Sequence, residues 1–466
     1  MKRRVFIQQT GLASLGFWGL SALLESCTSP AGKTAVFAPA KGYGPLLPDP
    51  KGIVNLPEGF TYRIIATKGQ TMSDGLRHPG KADGMATFAA PDGKVLLICN
   101  HEISAGDAEE GPFGDGYELL EKLRQEQIYD YGRGLLPCLG GTTTLLFDPA
   151  TGKVEKSWMS LAGTIRNCAG GLTPWGSWLT CEENTSVAGE ELEKDHGYIF
   201  EVPATTEIGL AEPFPLKAMG RFNHEAVAVD PRTGIVYETE DRGDGLFYRF
   251  IPHEPGKLRA GGKLQALVIR DQPAFDTRNW PDTPTPLPTR QPLAVSWIDI
   301  DNVESPEDDL RIHGFEAGAA RFARGEGIWF GDNELYFACT NGGSIKAGQV
   351  FRYRPGVLEG KKNEAEGPGT LELFLEPNNT QLLESCDNLT IAPSGHLFLC
   401  EDKDSPRIVG VSPAGDLYHF AHNVGYESEF AGATFSPDGK HLFVNIQHPG
   451  LTLAITGPWE GLEAVT

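Results

Sequence analysis

The chain has 466 residues, of which 57 are Gly, 34 are Pro and 40% are hydrophobic. This composition is that of a large globular protein, and the length suffices for a single closed core. The formal net charge of -22 argues against nucleic acid or an anionic membrane surface as a partner, because both repel an acidic protein. An anionic substrate would need cations to approach such a chain.

The N-terminus carries an export pattern. Arg3 and Arg4 precede a moderately apolar stretch over residues 10–24. This pattern is typical of a twin-arginine signal, and the stretch is too short and too rich in Gly and Ser for a membrane helix. We therefore predict that residues 1–27 direct export through the twin-arginine translocase to the periplasm or the cell exterior.

The residues that follow the signal set the domain boundaries. The sequence before Cys27 resembles a lipoprotein cleavage box, which would place a lipid anchor on Cys27. Cleavage nearby, which would release a soluble periplasmic protein, is the alternative. Residues 28–48 are predicted to form a linker, and residues 49–466 a single domain.

One pattern recurs six times along that domain. An extended run that opens on an acidic or thiol residue is followed by a turn and by a second extended run that ends in polar residues. The copies begin at Asp83, Cys168, Glu225, Glu326, Asp387 and Glu429. Recurrence of this kind indicates a repeat fold.

Strand chemistry predicts what each copy forms. Runs rich in Val, Ile, Leu, Phe and Trp are joined by turns such as Pro-Asp-Gly, which is typical of antiparallel hairpins. More strand-like sequence follows each copy, so we predict an all-β, six-bladed propeller with four-stranded blades. The last copy lacks a fourth strand, which residues 60–66 are predicted to supply, closing the ring. The insertions at residues 103–136, with a helix-like segment at 117–127, and at residues 271–292 are predicted to lie at the rim.

This architecture predicts an acidic mouth. In a propeller the first strand of each blade starts at one face of the channel and the second returns to it. The residues that open first strands are Asp83, Cys168, Glu225, Glu326 and Asp387, and those that close second strands are Glu102, Glu182 or Glu183, Asp241, Asn341 and Asp402. So many carboxylates in a narrow channel would raise one another's pKa or bind cations, and we favour metal binding.

The ligand types indicate which metals these are. A thiolate among carboxylates suits a transition metal such as iron or zinc, whereas all-oxygen ligands suit calcium. A mixed cluster is therefore predicted, with a single structural calcium as the alternative. Four other cysteines share one place in the second strands, where a small apolar residue packs between blades, and they are interpreted as structural. They are Cys99, Cys181, Cys339 and Cys400.

A basic residue beside the acidic positions suggests the substrate. Arg324 precedes Glu326 by two residues. Its planar guanidinium can hold a phosphate through two parallel hydrogen bonds, although a salt bridge to the acidic residues would also explain it. Arg166, Arg242 and His224 are weaker candidates.

These residues lie in blocks that resemble the PhoX-type alkaline phosphatases. The blocks are residues 167–184, 223–225, 324–326 and 386–388, together with the twin-arginine signal. The resemblance extends from about residue 83 onward and implies a six-bladed propeller that binds ferric iron and calcium and hydrolyses phosphate monoesters. By position it implies that Cys168 bridges iron, that Glu225 and Glu326 ligate iron, that Asp387 binds calcium, and that Arg324 holds the phosphate. This chain is shorter than well-known members, which leaves substrate preference open.

The sequence therefore predicts a metal-dependent phosphoesterase for small phosphate monoesters. Its predicted catalytic residues are Arg324, Cys168, Glu225 and Glu326, and its further predicted metal ligands are Asp83, Glu102, Asp241, Asp387 and Asp402. Two alternatives remain: a calcium-dependent, lactonase-type propeller enzyme and a non-catalytic, surface-anchored binding propeller.

Overall fold

A computed structural model of the protein describes residues 40–462. The predicted export signal at residues 1–27 and the lipidation candidate Cys27 lie outside the described residues. Among the residues described, no helix is both long and apolar enough to cross a bilayer.

Almost all regular structure in this part of the chain is β-strand. The strands are β1 (Leu46–Leu47), β2 (Val54–Pro57), β3 (Thr61–Thr67), β4 (Ala82–Ala89), β5 (Val95–His101), β6 (Gly140–Asp148), β7 (Lys153–Thr164), β8 (Asn167–Leu172), β9 (Ser177–Glu182), β10 (Ile199–Pro203), β11 (His224–Val229), β12 (Val236–Glu240), β13 (Gly245–Pro252), β14 (Gly262–Ile269), β15 (Leu293–Asp299), β16 (Arg321–Phe322), β17 (Gly325–Phe330), β18 (Leu335–Cys339), β19 (Gln349–Arg354), β20 (Thr370–Leu375), β21 (Cys386–Ile391), β22 (Leu397–Glu401), β23 (Arg407–Val411), β24 (Leu417–Asn423), β25 (Phe430–Phe435), β26 (His441–Ile446) and β27 (Leu451–Thr456). The prediction of an all-β chain is confirmed.

Helical structure is sparse. Residues 40–462 contain one α-helix, α1 (Leu310–Glu316), which lies between β15 and β16. The segment at residues 117–127, predicted to be helix-like, instead contains two separate 3-10 turns, Leu120–Lys122 and Gln125–Gln127. The extended backbone of Leu123 and Arg124 separates them. Neither turn is long enough to offset the cost of nucleating an α-helix.

The strands form a propeller-like arrangement of antiparallel sheets, but not six separate four-stranded blades. β4–β7 form one sheet, β8–β10 form a sheet of only three strands, and β21–β24 form a sheet that β2 and β1 extend at its edge. β11–β14 and β17–β20 are joined into one sheet because β15 pairs with both β14 and β20. β15 follows the insertion at residues 271–292 and covers the edges of two neighbouring four-strand units.

The first strands of the six repeat units pack side by side in a closed ring. β4 packs against β8, β8 against β11, β11 against β17, β17 against β21, β21 against β25, and β25 against β4. These strands approach so closely that glycine is required in them: a Cβ on Gly84 would lie 2.5 Å from the Cα of Ala169, and one on Gly327 would lie 2.7 Å from the Cα of Asn388. The space around the axis is therefore narrow.

The N-terminal part of the domain completes the ring, as predicted. β3 pairs antiparallel with β27, with Thr61 opposite Thr456 and Thr67 opposite Leu451. Residues ahead of the predicted domain boundary at 49 also belong to the fold, because β1 pairs with β2 and the ring of Tyr43 packs 4.9 Å from that of Phe60.

Cysteine usage agrees with a packing role for most thiols. The seven cysteines of residues 40–462 are free and buried. Cys99, Cys181, Cys339 and Cys400 are fully buried, each within a different hydrophobic cluster between sheets. This is the position expected of a small side chain that fills the space between repeat units.

Candidate metal centre and active site

Each of the six first hairpins has a β-bulge near the start of its first strand. The pairing register shifts between residues 82 and 85, 167 and 170, 224 and 227, 325 and 328, 386 and 389, and 431 and 434. In five hairpins an acid or thiol lies at the start of the bulge: Asp83, Cys168, Glu225, Glu326 and Asp387. We call these five residues the axis ring. A bulge bends its strand and re-aims a side chain, which here brings side chains from five repeat units together.

A second set of positions lies one residue after the second strand of each hairpin. The backbone N–H at this position donates to the carbonyl two residues ahead of the axis-ring position. The donor and acceptor residues are Glu102 and Lys81, Glu183 and Arg166, Asp241 and Asn223, Thr340 and Arg324, Asp402 and Ser385, and Gln447 and Glu429. The repeat unit of β17 therefore places Thr340 here, where the sequence had predicted Asn341. In the unit of β8, Glu183 takes the position that was left open between Glu182 and Glu183.

The sixth repeat unit contributes differently from the other five. Glu429, which opened the sixth copy in the sequence, stands two residues ahead of the ring position, and that position is occupied by Ala431. The partner Gln447 donates from Nε2 to Asp83 Oδ2 at 2.9 Å and to Glu102 Oε2 at 2.8 Å. Burial raises the pKa of Glu429 well above its usual range, and the nearby Asp83 carboxyl raises it further.

The acids of the axis ring are deeply buried and short of partners. Both carboxylate oxygens of Glu225 and Oδ1 of Asp83 are buried without a hydrogen bond. Burial raises the pKa of Asp83, Glu225 and Glu326 well above their usual range, and neighbouring carboxyls add to the effect in each case. Burial, with the Asp402 carboxyl beside it, raises the pKa of Asp387 to about 8. Buried carboxylates this close together repel one another, so their ionised forms need bound cations.

Two arginines meet part of this demand. Arg324 donates from Nε and Nη2 to the two oxygens of Asp241 at 2.7 and 2.9 Å, and from Nη2 to Glu326 Oε1 at 2.7 Å. Burial alone would lower the pKa of Arg324, but the Glu326 and Asp241 carboxylates raise it above its ordinary value. Arg166 holds Glu183, and its Nη2 lies 2.5 Å from Glu102 Oε1. Each side chain keeps about a third of its surface exposed, at 35% and 34%.

Acids from both sets of positions, together with the thiol, form three overlapping groups in which a metal ion could bind. The groups are Asp83, Glu102 and Cys168; Cys168, Glu183 and Glu225; and Glu225, Glu326 and Asp387. In each group one ligand atom per residue lies within 4.8 Å of the others. Cys168 belongs to two groups, as does Glu225, so one thiolate and one carboxylate could each be shared between neighbouring ions. Thiolate and carboxylate donors in the first two groups suit a transition metal, and the all-oxygen third group also suits calcium.

All eight residues predicted as metal ligands lie in this cluster or beside it. Asp402 acts on the pKa of Asp387, and Asp241 is paired with Arg324. Glu429 and Gln447 also lie beside this cluster but were not predicted as site residues, although their positions in the sixth repeat unit match those of the predicted ones. Two weaker candidates lie elsewhere: His224 Nε2 donates to the Gly220 carbonyl, and Arg242 pairs with Asp308.

Comparison with known proteins identifies a family and solved structures with a similar fold. The family model described as alkaline phosphatase PhoX matches residues 41–450. No curated protein matches the chain. The solved structure of Pseudomonas fluorescens PhoX in complex with vanadate, a transition state analogue, is 18% identical, covers 92% of this chain and 99% of that chain, and superposes with a TM-score of 0.64.

Two other solved structures are less similar. A gluconolactonase from Xanthomonas campestris is 11% identical over 90% of this chain and 100% of that chain, with a TM-score of 0.35. The Swd1 β-propeller domain of Myceliophteria thermophila is 10% identical over 85% of this chain and 100% of that chain, with a TM-score of 0.41.

Proposed function

The chain belongs to the alkaline phosphatase PhoX family and is thus a hydrolase of phosphate esters, and from this premise we propose that it hydrolyses small phosphate monoesters at a mixed iron and calcium cluster in the mouth of the ring. Family membership decides against the lactonase and the non-catalytic binding module. The observation that carries the proposal is the sharing of Cys168 and Glu225 between adjacent ligand groups.

The donor chemistry assigns the ions. Cys168, with Glu225 and Glu326, would hold ferric iron, because a thiolate is a transition-metal ligand. Calcium would be held by the all-oxygen residues around them, because it takes six to eight oxygens in a flexible arrangement. Those residues are Asp83, Glu102, Asp241, Asp387 and Asp402. The unpartnered oxygens of Glu225 and Asp83 support this assignment, since a buried carboxylate without a partner is costly.

When bound, the ions would supply Lewis acidity and neutralise the charge of the phosphate. Arg324 is the residue best placed to orient the ester. Two of its nitrogens, Nε and Nη2, are fixed by Asp241 and Glu326, and within residues 40–462 no acceptor engages Nη1. Because the guanidinium plane is already held in place, Nη1 can donate to a phosphate oxygen with little further loss of side-chain entropy.

Arg166 is held in a similar way in the unit of β8, two repeat units away around the ring. Its Nε donates to the Glu183 carbonyl, and its Nη2 contacts Glu183 and Glu102. Arg166 and Arg324 occupy the same repeat position, and both have positive φ, 48° and 56°. The two guanidinium groups would oppose the repulsion that an overall charge of -22 imposes on a phosphate ester.

The remaining sequence predictions are also part of this proposal. We propose that the six repeat units act as six blades, a count that the closed ring of first strands supports. The twin-arginine pattern at Arg3 and Arg4 supports export to the periplasm or cell exterior, with small phosphate esters as partners there and the translocase as the partner during export. Cys27 would be the point of any lipid anchor, and nucleic acid is not an expected partner.

One experiment tests the core of the proposal. Elemental analysis of the purified chain should find iron and calcium, and a chromogenic phosphate monoester should be hydrolysed faster than the matching diester or a simple lactone. Cys168→Ser should lose iron and activity, whereas the matched control Cys181→Ser should keep both. An iron-free but fully active protein, or preference for the diester, would contradict the proposal.

A further inference from the structure

A second group of side chains of the types that ligate metal ions lies apart from the mouth cluster. Asp130, Cys138 and His196 are all fully buried, and one ligand atom of each lies within 4.8 Å of the others. Asp130 and Cys138 belong to the insertion between β5 and β6, and His196 belongs to the connection between β9 and β10. The group therefore joins two connections that are remote in sequence.

The His196 ring is held tightly on one side and loosely on the other. Nδ1 lies 2.6 Å from Oε1 of Glu182. Nε2 lies 3.3 Å from Asp130 Oδ2 and 4.0 Å from Cys138 Sγ. A tetrahedral zinc ion with bonds of about 2.0 to 2.3 Å sets its ligand atoms roughly 3.3 to 3.7 Å apart. The spacing on the Nε2 side is therefore close to that of ligands around an ion, and long for direct hydrogen bonds.

The surroundings of these atoms are those of metal ligands. A ligating histidine donates its other ring N–H to a carboxylate, and ligating carboxylates are themselves hydrogen-bonded. Glu182 is that carboxylate for His196. Asp130 accepts from the backbone N–H of Gly132 at 2.8 Å, and from those of Glu193 and Lys194 at 2.8 and 2.9 Å. These bonds fix both side chains with the candidate ligand atoms facing one another.

We propose that Asp130, Cys138 and His196 bind a structural zinc ion that is separate from the mouth cluster. A thiolate, an imidazole and a carboxylate together are donors typical of zinc rather than calcium. Binding requires the Cys138 thiolate and the free lone pair of His196 Nε2. It therefore releases the Cys138 proton and, when the imidazole is protonated, the proton on Nε2. The competing arrangement, an imidazolium between Asp130 and Glu182 without an ion, leaves the thiol with only the 4.0 Å contact.

Glu182 connects this site to the mouth. Its Oε1 also accepts the N–H of Ile165 at 2.9 Å, and its Oε2 accepts the N–H of Gly197 at 2.9 Å. Ile165 precedes Arg166, and Glu182 precedes Glu183. An ion bound to His196 would fix His196 and, through it, Glu182. It would therefore help to position the adjacent residues Arg166 and Glu183.

Metal content in single variants tests the proposal. Wild-type protein should contain one zinc per chain, and Cys138→Ser should lose it while retaining iron. The matched control Cys400→Ser, which removes an equally buried thiol from a core without His or Asp ligands, should retain zinc. Cys168→Ala should show the opposite loss, of iron and not of zinc, so failure of this proposal is distinguishable from failure of the proposed function. Equal zinc in wild type and Cys138→Ser, or none in either, would overturn it.

A spectroscopic measurement covers the case in which Cys138→Ser does not fold. Cobalt(II) exchanged into zinc-depleted Cys168→Ala protein should produce a thiolate-to-cobalt charge-transfer band, because Cys138 is then the thiol beside the remaining His and Asp ligands. Addition of zinc should abolish the band and raise the thermal unfolding midpoint. Absence of the band in folded protein would refute the site and favour the imidazolium arrangement.

Discussion

Removal of the metal ions should make the stability of this protein fall as the pH rises. Burial raises the pKa of seven acids at the mouth: Asp83, Glu183, Glu225, Glu326, Asp387, Asp402 and Glu429. The folded, metal-free chain therefore keeps protons that the unfolded chain releases near the ordinary pKa. The contribution of these groups to the free energy of unfolding is fully present below about pH 4. It is lost as the pH rises through their folded pKa, which is near 8 for Asp387 and Glu183.

The size of the effect follows from one residue. The pKa of Asp387 rises from 3.8 to about 8, and at about 1.4 kcal/mol per tenfold change this residue alone lowers the free energy of unfolding by roughly 6 kcal/mol between the two limits. Neighbouring carboxyls interact, so their contributions are not additive. A loss of this size is comparable to the whole stability of many domains, which is about 5 to 15 kcal/mol.

Thermal unfolding followed by circular dichroism at a series of pH values would measure this. Chelator-treated protein should show a midpoint that falls between about pH 6.5 and about pH 8, and metal-loaded protein a nearly constant one over the same interval. Burial lowers the pKa of other histidines, to about 3 for His101 and His224, so below about pH 6.5 these residues add stability as the pH rises and oppose the loss from the carboxyls. Above 6.5 their contribution is constant, and His196, whose pKa is raised to about 12, adds a loss of the same sign as the carboxyls.

Glu225→Gln is the matched variant, since it removes a buried carboxyl that has no hydrogen-bond partner for either oxygen. In chelator it should raise the midpoint at pH 8 and make the pH dependence shallower. A flat or rising midpoint for chelated wild-type protein between about pH 6.5 and about pH 8 would refute the reasoning.

Three further outcomes are expected. Cys168→Ala should remove the transition metal and the phosphatase activity, whereas Cys181→Ala should cost about 1 to 3 kcal/mol of stability and leave activity in place; retention of full iron by Cys168→Ala would disprove the thiolate assignment. Arg324→Lys should raise the Michaelis constant, because an ammonium replaces a planar fork that Asp241 and Glu326 hold in place; unchanged steady-state kinetics would remove Arg324 from substrate binding. Chelation should abolish activity, and calcium but not magnesium should restore it, since the oxygen ligands are numerous and flexibly arranged; full activity after prolonged treatment with excess chelator would return the acids to a structural role.

Much of the site could be predicted from the sequence because a repeat places equivalent residues at equivalent heights. Once the copies were aligned on their hairpins, Asp83 and Asp387 had to meet at one face of a closed ring. Two copies departed from the predicted register. In the sixth copy Glu429 stands two residues ahead of the ring position, and in the fourth copy Thr340 rather than Asn341 follows the second strand. A sequence alone does not reveal which residues a bulge leaves unpaired, because both registers have the same composition.

The insertions were the least predictable part. Residues 117–127 have the composition of a helix but form two short turns, and the segment after residue 292 adds strand β15, which joins two sheets. Local propensity is weak in such segments, and what they pack against decides their conformation.

The amino-acid sequence by itself determined the all-β class, the six-fold repeat, the strand that completes the ring and the types of side chain at the mouth, because alternation, turn residues and residue chemistry are local properties. Only the tertiary structure decided which acids lie in one group with Cys168 or with Glu225, and which acids hold Arg166 and Arg324. It also decided that Asp130, Cys138 and His196 lie together. These depend on distances between segments far apart in the chain, which the packing of the whole ring sets.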